Sequence, residues 1–292
     1  MSESTTTGLI KRIVEKTEPY LVQIPKPKKK LSLQARLIWS GVALLIYQVM
    51  GQTPLFGATA PQFDFLQFAR VIFASQQGTL NELGIGPIVT AGLLMQLLKG
   101  SEILKFDFTK PDERGVFQTA TKLVTYIVII VEASVYASAV YGPGLANHNV
   151  LFVIIGQLIS ASIIIMLLDE LVQKGWGLGS GISLFIAAGV TQQMLWNFFS
   201  PLPAGDGGMI GVFPYIAQSI SHGDIATILF RQNNLPSLFS FSITAGVLLI
   251  LVYTQGMKVE IPIVSTKYRG FAATYPIKLM YVSNIQIGRA HV

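Results

Sequence analysis

The chain has 292 residues, of which 12% are charged and 51% are hydrophobic, and it contains no cysteine. An average soluble domain carries about 25% charged residues, so the composition excludes an ordinary soluble protein and indicates an integral membrane protein. The absence of cysteine excludes disulfide frameworks and thiolate metal sites. The formal net charge of +6 is compatible with nucleic-acid binding, but the placement of the basic residues gives a more local explanation.

The first 33 residues are polar and basic. Leu9, Ile13 and Val14 recur at helical spacing, which predicts a short amphipathic helix on the membrane surface that ends before Pro19. An extended basic linker follows over residues 24–30. The simpler interpretation of residues 1–33 is a solvated cytoplasmic tail that sets the orientation of the chain.

Six stretches are apolar enough to be predicted as membrane spans, and the links between them are polar, basic or rich in glycine. The spans cover about residues 35–53, 83–98, 116–140, 150–168, 182–199 and 237–257. Residues 174–181 are predicted to form a tight glycine-rich turn, residues 200–236 a longer polar loop, and residues 258–278 a basic loop.

The second span is unusual because its 16 uncharged residues make only about 24 Å of helix, short of the ~30 Å hydrocarbon core. It opens on Gly84-Ile85-Gly86-Pro87, which is typical of a helix start or kink. The apolar piece before it, Phe63 to Ala74, is too short to cross the membrane at all. Irregular backbone at membrane depth is tolerated where protein lines a polar or water-filled path, so this region is predicted to form the wall of a pathway.

The basic residues predict the orientation. With the N-terminus inside, eighteen of the 21 Lys and Arg residues fall in segments predicted to be cytoplasmic. Arg70 and Arg231 fall on the other side, and Arg289 lies in the terminal tail. This asymmetry favours a cytoplasmic N-terminus and six spans.

Few residues suggest chemistry. The three histidines lie outside the spans and no hydrolase or metalloprotease motif is present, so we predict no enzyme, catalytic residue, cofactor or metal site. Glu132 lies well inside a span, where a functional carboxylate and a structural hydrogen bond are both open interpretations. Asp169 and Glu170, near Lys174, are interpreted as a solvated helix end. Four aliphatic side chains fall on helix faces at a spacing of four residues, and the spacing alone indicates ordinary bundle or lipid-facing positions: Ile85, Val89, Ile182 and Ile186.

Four segments resemble the SecY family, the main subunit of the protein-translocating channel. They are GTLNELGIGPIVTAGLLMQLL, KPDERGVFQ, LLDELVQKGWGLGSGISLFIAAGV and YRGFAATYPIKLMYVSNI. The form GIGPIVTAG resembles the archaeal branch, whereas QTPLFG and RQNNLP are closer to the eukaryotic branch. The resemblance implies an all-α membrane protein: the six-span N-terminal part of a ten-span inverted-repeat channel, with a half-crossing plug helix at about residues 61–77.

The resemblance also implies roles for particular residues. The plug would hold Phe63, Phe65, Leu66, Phe68, Ala69 and Ile72, and the pore ring would be Ile85, Val89, Ile182 and Ile186. Thr90 and Glu132 would form the polar part of a lateral gate. Lys258, Lys267, Arg269 and Lys278 would dock the ribosome.

The implied function is to pass unfolded polypeptides across the membrane and to release transmembrane segments sideways into lipid. The implied partners are a SecE-type subunit, another small single-span Sec subunit, the ribosome, nascent polypeptides with their signal sequences, and membrane lipid. The location would be the plasma membrane if the source is archaeal. The alternatives are a secondary transporter with broken helices, which would need a polar site near the midplane, and a membrane enzyme.

The predicted domains follow from this reading. Residues 1–33 form the cytoplasmic N-terminal segment, 34–200 the N-terminal half of the channel, 201–236 an external loop, 237–257 span six, and 258–285 the ribosome-docking loop. Residues 286–292 are expected to be non-native, because a polar peptide stands where the family would begin span seven, and because IGRAHV translates ATC GGA AGA GCA CAC GTC, a common sequencing-adapter string. The competing expectation is a half-length protein that assembles as a dimer of halves.

Overall fold

A computed structural model describes residues 5–58, 67–104, 106–144, 148–204, 208–222, 228–231, 235–263 and 273–278. The chain divides into two compact units, residues 1–190 and 191–292. The helix that follows the glycine-rich turn crosses the boundary between them. Each unit is described by itself.

The first unit is helical. Its helices are α1 (Thr5–Thr17), α2 (Leu33–Gln52), α3 (Gln67–Phe73), α4 (Gly86–Gly100), α5 (Pro111–Val140), α6 (His148–Leu171) and the larger part of α7 (Gly181–Phe199). The helix starts follow the sequence: the Ser32 side chain accepts a hydrogen bond from the Ala35 amide at the start of α2, and a proline occupies the first turn of both α4 and α5.

The second unit contains the end of α7, α8 (Val212–His222), α9 (Leu238–Gly256) and two strands, β1 (Lys258–Ile263) and β2 (Ala273–Lys278). The strands pair antiparallel, with Lys258 opposite Lys278 and Ile263 opposite Ala273. The purely α-helical prediction therefore misses a hairpin, whose strands carry the β-branched residues Val259 and Ile261. The prediction of a polar loop over residues 200–236 likewise misses α8.

Among the described residues, four helices are long and apolar enough to cross a membrane: Leu33–Gln52, Pro111–Val140, Asn149–Trp176 and Leu238–Gly256. They correspond to predicted spans one, three, four and six. Helix α4 has 15 residues, or about 22 Å, which is too short to cross the hydrocarbon core by itself. The start of α4 at Gly86 agrees with the break that the Gly84–Pro87 sequence predicts.

Helix α1 packs on protein through Val14, which is buried, and Ile10, which is partly buried. Val14 is 2% exposed and belongs to a cluster with Met95, Leu104, Phe106 and Ala120. Lys11 also lies 3.5 Å from a carboxylate oxygen of Glu113, at the start of α5. The predicted amphipathic helix is therefore present, but part of its apolar face covers the ends of α4 and α5 and is not left for the membrane surface.

Candidate functional site

Helices α4 and α7 bring the four predicted ring residues into one hydrophobic cluster. Ile85 is the residue just before α4, and Val89 lies one turn later. Ile182 and Ile186 have the same spacing on α7. Ile85 is fully buried, Ile182 is 7% exposed, and the other two pack against the same cluster as partly buried side chains. We call these four side chains the aliphatic ring. Positions that are distant in sequence thus share one apolar site.

An aromatic pair lies in the same cluster. The Tyr47 ring of α2 stacks on the Phe185 ring of α7 with centroids 4.5 Å apart. The Tyr47 hydroxyl donates a hydrogen bond to the carbonyl of Ala74, and the Asn81 side-chain amide donates to the same carbonyl at 3.1 Å. Two side chains from separate segments therefore fix the residue that follows α3.

The end of α3 also joins directly to the start of α4. The Ile85 amide donates to the Phe73 carbonyl at 3.0 Å, so the aliphatic ring and α3 share a backbone hydrogen bond. Gly84 lies between them with φ of 55°, and a Cβ atom there would lie 2.2 Å from the Phe73 oxygen. Only glycine fits this junction, both for its backbone conformation and for the space available.

A buried carboxylate holds α3 from its other side. The Glu82 side chain is fully buried and accepts hydrogen bonds from the hydroxyls of Tyr136 and Tyr141, each at 2.6 Å, and from the Gly78 amide at 2.5 Å. Arg70 of α3 donates to Glu82 at 3.3 Å and to the Tyr136 hydroxyl at 3.0 Å. We call these five residues the Glu82 network.

The Glu82 network satisfies the usual requirement for a buried charge, which is a counter-ion together with several hydrogen bonds. It links α3 to the far end of α5 through side chains that lie 54 and 59 residues apart from Glu82 in sequence. Sequence reasoning did not select Glu82 or Arg70 as a pair. The available signal was an acidic residue just before an uncharged span, with one arginine in the short apolar piece upstream.

The segment before α3 is held by α6. The Gln157 side chain accepts from the Phe56 amide at 3.0 Å and donates to the Phe56 carbonyl at 3.1 Å. The side-chain amide of Gln157 thus satisfies both backbone groups of Phe56, as the backbone of a neighbouring β-strand would. The chain is therefore tied to α6 shortly before the predicted plug segment, and Gln157 is a second residue that the sequence did not reveal.

The predicted plug residues are only partly described. Phe63, Phe65 and Leu66 lie outside the described residues, and for Phe68 and Ala69 only the helical backbone is described. Ile72 is 65% exposed and so lies away from the core. The described part of this segment, α3, has seven residues and spans about 10 Å, which agrees with a piece too short to cross a membrane.

The predicted gate residues are neighbours. The side chains of Thr90 on α4 and Glu132 on α5 lie close enough to interact. Glu132 is partly buried and Thr90 is exposed. A Cβ atom at Gly86 would lie 3.7 Å from the Glu132 carboxylate, an ordinary van der Waals distance, so the start of α4 is a neighbour of that group. The structure brings the pair together at the seam between α4 and α5.

The interpretation of Asp169 as a solvated helix end is wrong. Asp169 is 5% exposed; its carboxylate accepts from the Ile182 amide at 2.9 Å and from the Gln173 side chain at 2.6 Å. It is buried because the glycine-rich turn folds the start of α7 back onto it, where it satisfies an amide at the helix start. Glu170 does pair with Lys174, at 2.8 Å, and also with Lys122 of α5 at 2.6 Å.

The predicted docking residues are separated by a stretch outside the described residues. Lys258 opens β1 and Lys278 ends β2, and the two are opposite one another in the hairpin. Lys267 and Arg269 lie outside the described residues. The hairpin therefore places the first and last of the four basic positions at the same end.

Family models match most of the chain. The SecY model matches residues 79–289, and a model described as the plug domain of Sec61p matches residues 45–78. The second match ends where the first begins. Together they cover the region from α2 to beyond the β hairpin.

Named relatives agree with these matches. The chain is 43% identical over 284 residues to the protein translocase subunit SecY of Saccharolobus solfataricus, covering 92% of this chain and 60% of the relative. It is 39% identical over 285 residues to the SEC61 subunit alpha of Debaryomyces hansenii, covering 94% of this chain and 60% of the relative. The chain thus spans about 60% of the length of these curated relatives.

Solved structures share the fold. A protein-conducting channel aligns with a TM-score of 0.72 at 35% identity, covering 94% of this chain and 58% of that one. Sec61 from the canine ribosome-channel complex of the endoplasmic reticulum aligns with a TM-score of 0.71, at the same identity and coverage. The SecY model alone matches more than half of the residues, and so the chain belongs to the SecY family.

Proposed function

We propose that this chain supplies the pore, the plug and one side of the lateral gate in a Sec-type protein-conducting channel. The observation that carries the proposal is the aliphatic ring, four side chains from α4 and α7 gathered in one cluster that is hydrogen-bonded through Ile85 to the end of α3. Family membership supports the same function and leaves the secondary-transporter and membrane-enzyme alternatives without support.

An aliphatic ring can block the passage of ions through a pore without any group that binds ions. A narrow hydrophobic constriction expels water, and ions do not cross a dewetted gap. Aliphatic side chains also adjust to the varied side chains of an extended polypeptide, since they form no directional bonds. The ring therefore suits a channel that has to hold back ions and still pass unfolded chains.

The plug would close the ring from the side on which α3 lies. Its two anchors differ in kind: Gln157 holds backbone atoms of Phe56, whereas Glu82 holds the Arg70 side chain. If the channel opens by displacement of α3, the Glu82–Arg70 ion pair has to break, because Arg70 belongs to α3 and Glu82 does not. We propose that the Glu82 network is the latch of the closed channel.

The lateral gate would lie at the seam that Thr90 and Glu132 occupy. A polar pair beside lipid raises the cost of opening the seam to hydrocarbon unless the entering segment is itself very apolar. Such a pair would set how hydrophobic a signal segment must be before it leaves the pore for the bilayer.

The remaining proposals concern topology and partners. We propose six spans with a cytoplasmic N-terminus, in the plasma membrane of an archaeal-type cell, with the domain limits predicted from the sequence. A SecE-type subunit and a second small subunit would surround the spans, and the ribosome would dock on residues 258–285. Solved relatives support the last point, since both the canine Sec61 channel and the yeast Ssh1 complex are bound to ribosomes.

The test uses a chimera in which this chain replaces the matched part of Saccharolobus solfataricus SecY. Four substitutions in the chimera, Ile85→Ser, Val89→Ser, Ile182→Ser and Ile186→Ser, should make the resting channel conduct ions in a planar bilayer, because a hydroxyl-lined ring stays wet. Leu97→Ser serves as the matched control, since Leu97 lies on α4 and is 72% exposed. A quadruple variant that conducts no more than the unaltered chimera would place the seal elsewhere.

A further inference from the structure

Helix α8 lies against the ends of two apolar helices. The Phe213 ring of α8 packs with Phe198 and Phe199 at the end of α7, with centroids 6.4 and 5.1 Å apart, and with Phe241 of α9 at 5.6 Å. Phe198 and Phe241 also pack edge to face at 5.0 Å. Because α9 begins at Leu238 and is long and apolar enough to span a membrane, this contact holds the start of α8 at the depth where α9 begins.

The helix has two different faces. Val212 and Ser219 are buried, at 1% and 5% exposure, and they fix its inner face. Phe213, Ala217 and Ile220 follow at positions i, i+4 and i+7, so they share one face, and all three are exposed, Ile220 by 64%. This face is therefore apolar: Phe213 at its start packs on α7 and α9 while remaining 40% exposed, and Ile220 near its end is the more exposed of the two.

Apolar exposure continues beyond α8. Trp196 on α7 and Phe239 on α9 are 52% and 47% exposed, and Phe230, in the segment that follows α8, is 66% exposed. Along α9 the exposed side chains include Ile243 and Val247, which a membrane span presents to lipid. The exposed face of α8 thus continues the apolar surface of α9, and aromatic side chains collect at the level where membrane–water interfaces favour them.

Charge is absent from this helix. The sequence VFPYIAQSISH contains no Asp, Glu, Lys or Arg. An arginine close to it, Arg231, donates to the carbonyls of Ile210 and Pro236 and lies over the Tyr215 ring at 3.8 Å. The guanidinium is engaged with protein, so it offers little to an anionic lipid headgroup.

We propose that α8 is a membrane anchor that lies in the interface between headgroups and acyl chains, on the side where α9 begins, and that its occupant is neutral lipid. An amphipathic helix binds this region by burying its apolar face, and basic residues are what add a preference for anionic lipid. Since α8 has none, its binding is independent of lipid charge and of salt. The proposal rests on the membrane position of α9 and not on the aliphatic ring.

The absence of cysteine makes the test direct. The full chain, carrying one cysteine at Ile220 and a nitroxide label on it, is reconstituted into phosphatidylcholine vesicles. Accessibility to oxygen and to a water-soluble nickel chelate is then measured by electron paramagnetic resonance. A label at Ile220 should favour oxygen, and so should one at Ala217. Ser221, about 100° further around the helix, is the matched control that should favour the nickel chelate.

A label at Ile243 reports whether the chain is inserted and folded, because it lies within α9. With Ile243 in lipid, a nickel-accessible Ile220 would overturn the proposal and assign the apolar face of α8 to a protein partner. Replacing a third of the phosphatidylcholine with phosphatidylglycerol, or raising the salt, should leave the Ile220 accessibility unchanged. A label that moves deeper in anionic vesicles would overturn the assignment to neutral lipid.

Discussion

The Arg70 guanidinium of α3 and the Glu82 carboxylate form a buried ion pair, with Nη1 and Oε1 3.3 Å apart and side-chain exposures of 11% and 0%. Two tyrosine hydroxyls and a backbone amide complete the contacts of the carboxylate. Removing one partner leaves the other charge buried and uncompensated, which is generally more costly than losing both. The pair is therefore strongly coupled, and the coupling can be measured.

We expect a double-mutant cycle of Arg70→Ala and Glu82→Ala to give a coupling free energy in the upper part of the range of about 0.5–3 kcal/mol. The measurement is the free energy of unfolding in detergent micelles. The exposed pair Lys110 and Asp107, 3.9 Å apart, provides the control, and its coupling should be much smaller because water and salt screen it. Equal coupling free energies in the two cycles would show that the buried pair holds α3 no more strongly than an exposed pair would, and would contradict the latch.

Gln157 provides the second prediction. Gln157→Leu removes both hydrogen bonds to the Phe56 backbone, so the Phe56 amide should exchange with solvent at least ten times faster, which corresponds to about 1.4 kcal/mol. Gln157→Glu keeps an acceptor for that amide and should retain most of the protection. Ser160→Ala is the control on the same helix, because its hydroxyl bonds only to the Gly156 carbonyl. Unchanged exchange in Gln157→Leu would mean that the plug segment is held elsewhere.

The gate gives the third prediction. In the chimera, Glu132→Leu and Thr90→Leu should each lower the hydrophobicity at which a signal segment enters lipid, because a seam without polar groups opens to hydrocarbon more readily. A graded series of Leu and Ala signal segments measures the threshold. Ser134→Ala is the matched control, since its hydroxyl bonds to its own helix at the Ile130 carbonyl. A threshold that stays fixed would mean that Glu132 and Thr90 have only a structural role.

The docking loop gives the fourth prediction. Reversing Lys267 and Arg269 to Glu in the chimera should weaken ribosome binding, and the loss should be larger at low salt because contacts to phosphate depend on salt. Co-sedimentation with ribosomes at two salt concentrations measures both effects. Lys110→Glu reverses an exposed lysine in another segment predicted to be cytoplasmic, and it should bind as before. Unchanged ribosome binding in the double variant would mean that Lys267 and Arg269 contribute only to the orientation of the chain in the membrane.

The spans and the family could be predicted from the sequence, because hydropathy indicates the spans and short motifs indicate the family. The SecY assignment is confirmed by the family models, and the break before α4 follows from Gly84 and Pro87. The membership of the four ring residues in one cluster could not come from spacing, since spacing says only that each pair shares a helix face. The family resemblance supplied that expectation, and the structure places Ile85 and Ile182 in one cluster with Val89 and Ile186 packed against it.

The missed features share a physical cause. Glu82, Gln157 and Asp169 are polar residues whose partners lie far away in sequence or across a turn, and hydropathy carries no information on such partners. Helix α8 was missed because its 11 residues are too few to cross a membrane and lie within a stretch that hydropathy assigns to a loop. The β hairpin was missed because the prediction of a basic loop used the four Lys and Arg residues of 258–278 and not the β-branched residues among the other 17.

Asp169 and Gly181 give the last prediction, because they meet at the most crowded point of the glycine-rich turn. A Cβ atom at Gly181 would lie 2.5 Å from the Asp169 carboxylate and 2.7 Å from the Asp169 Cα. Gly181→Ala should therefore lower the thermal midpoint of the chain in detergent, at a cost of about 1–3 kcal/mol. Adding Asp169→Ala should not restore the thermal midpoint. That change removes the clash with the carboxylate, but the clash with the Asp169 Cα remains and the Ile182 amide loses its acceptor.

The control is Gly156→Ala on α6, where a Cβ atom meets nothing within 4 Å. It should be neutral or stabilising by up to about 1 kcal/mol. Recovery of the midpoint in the double variant would show that only the carboxylate limits the turn, and that the backbone of α6 can withdraw from α7.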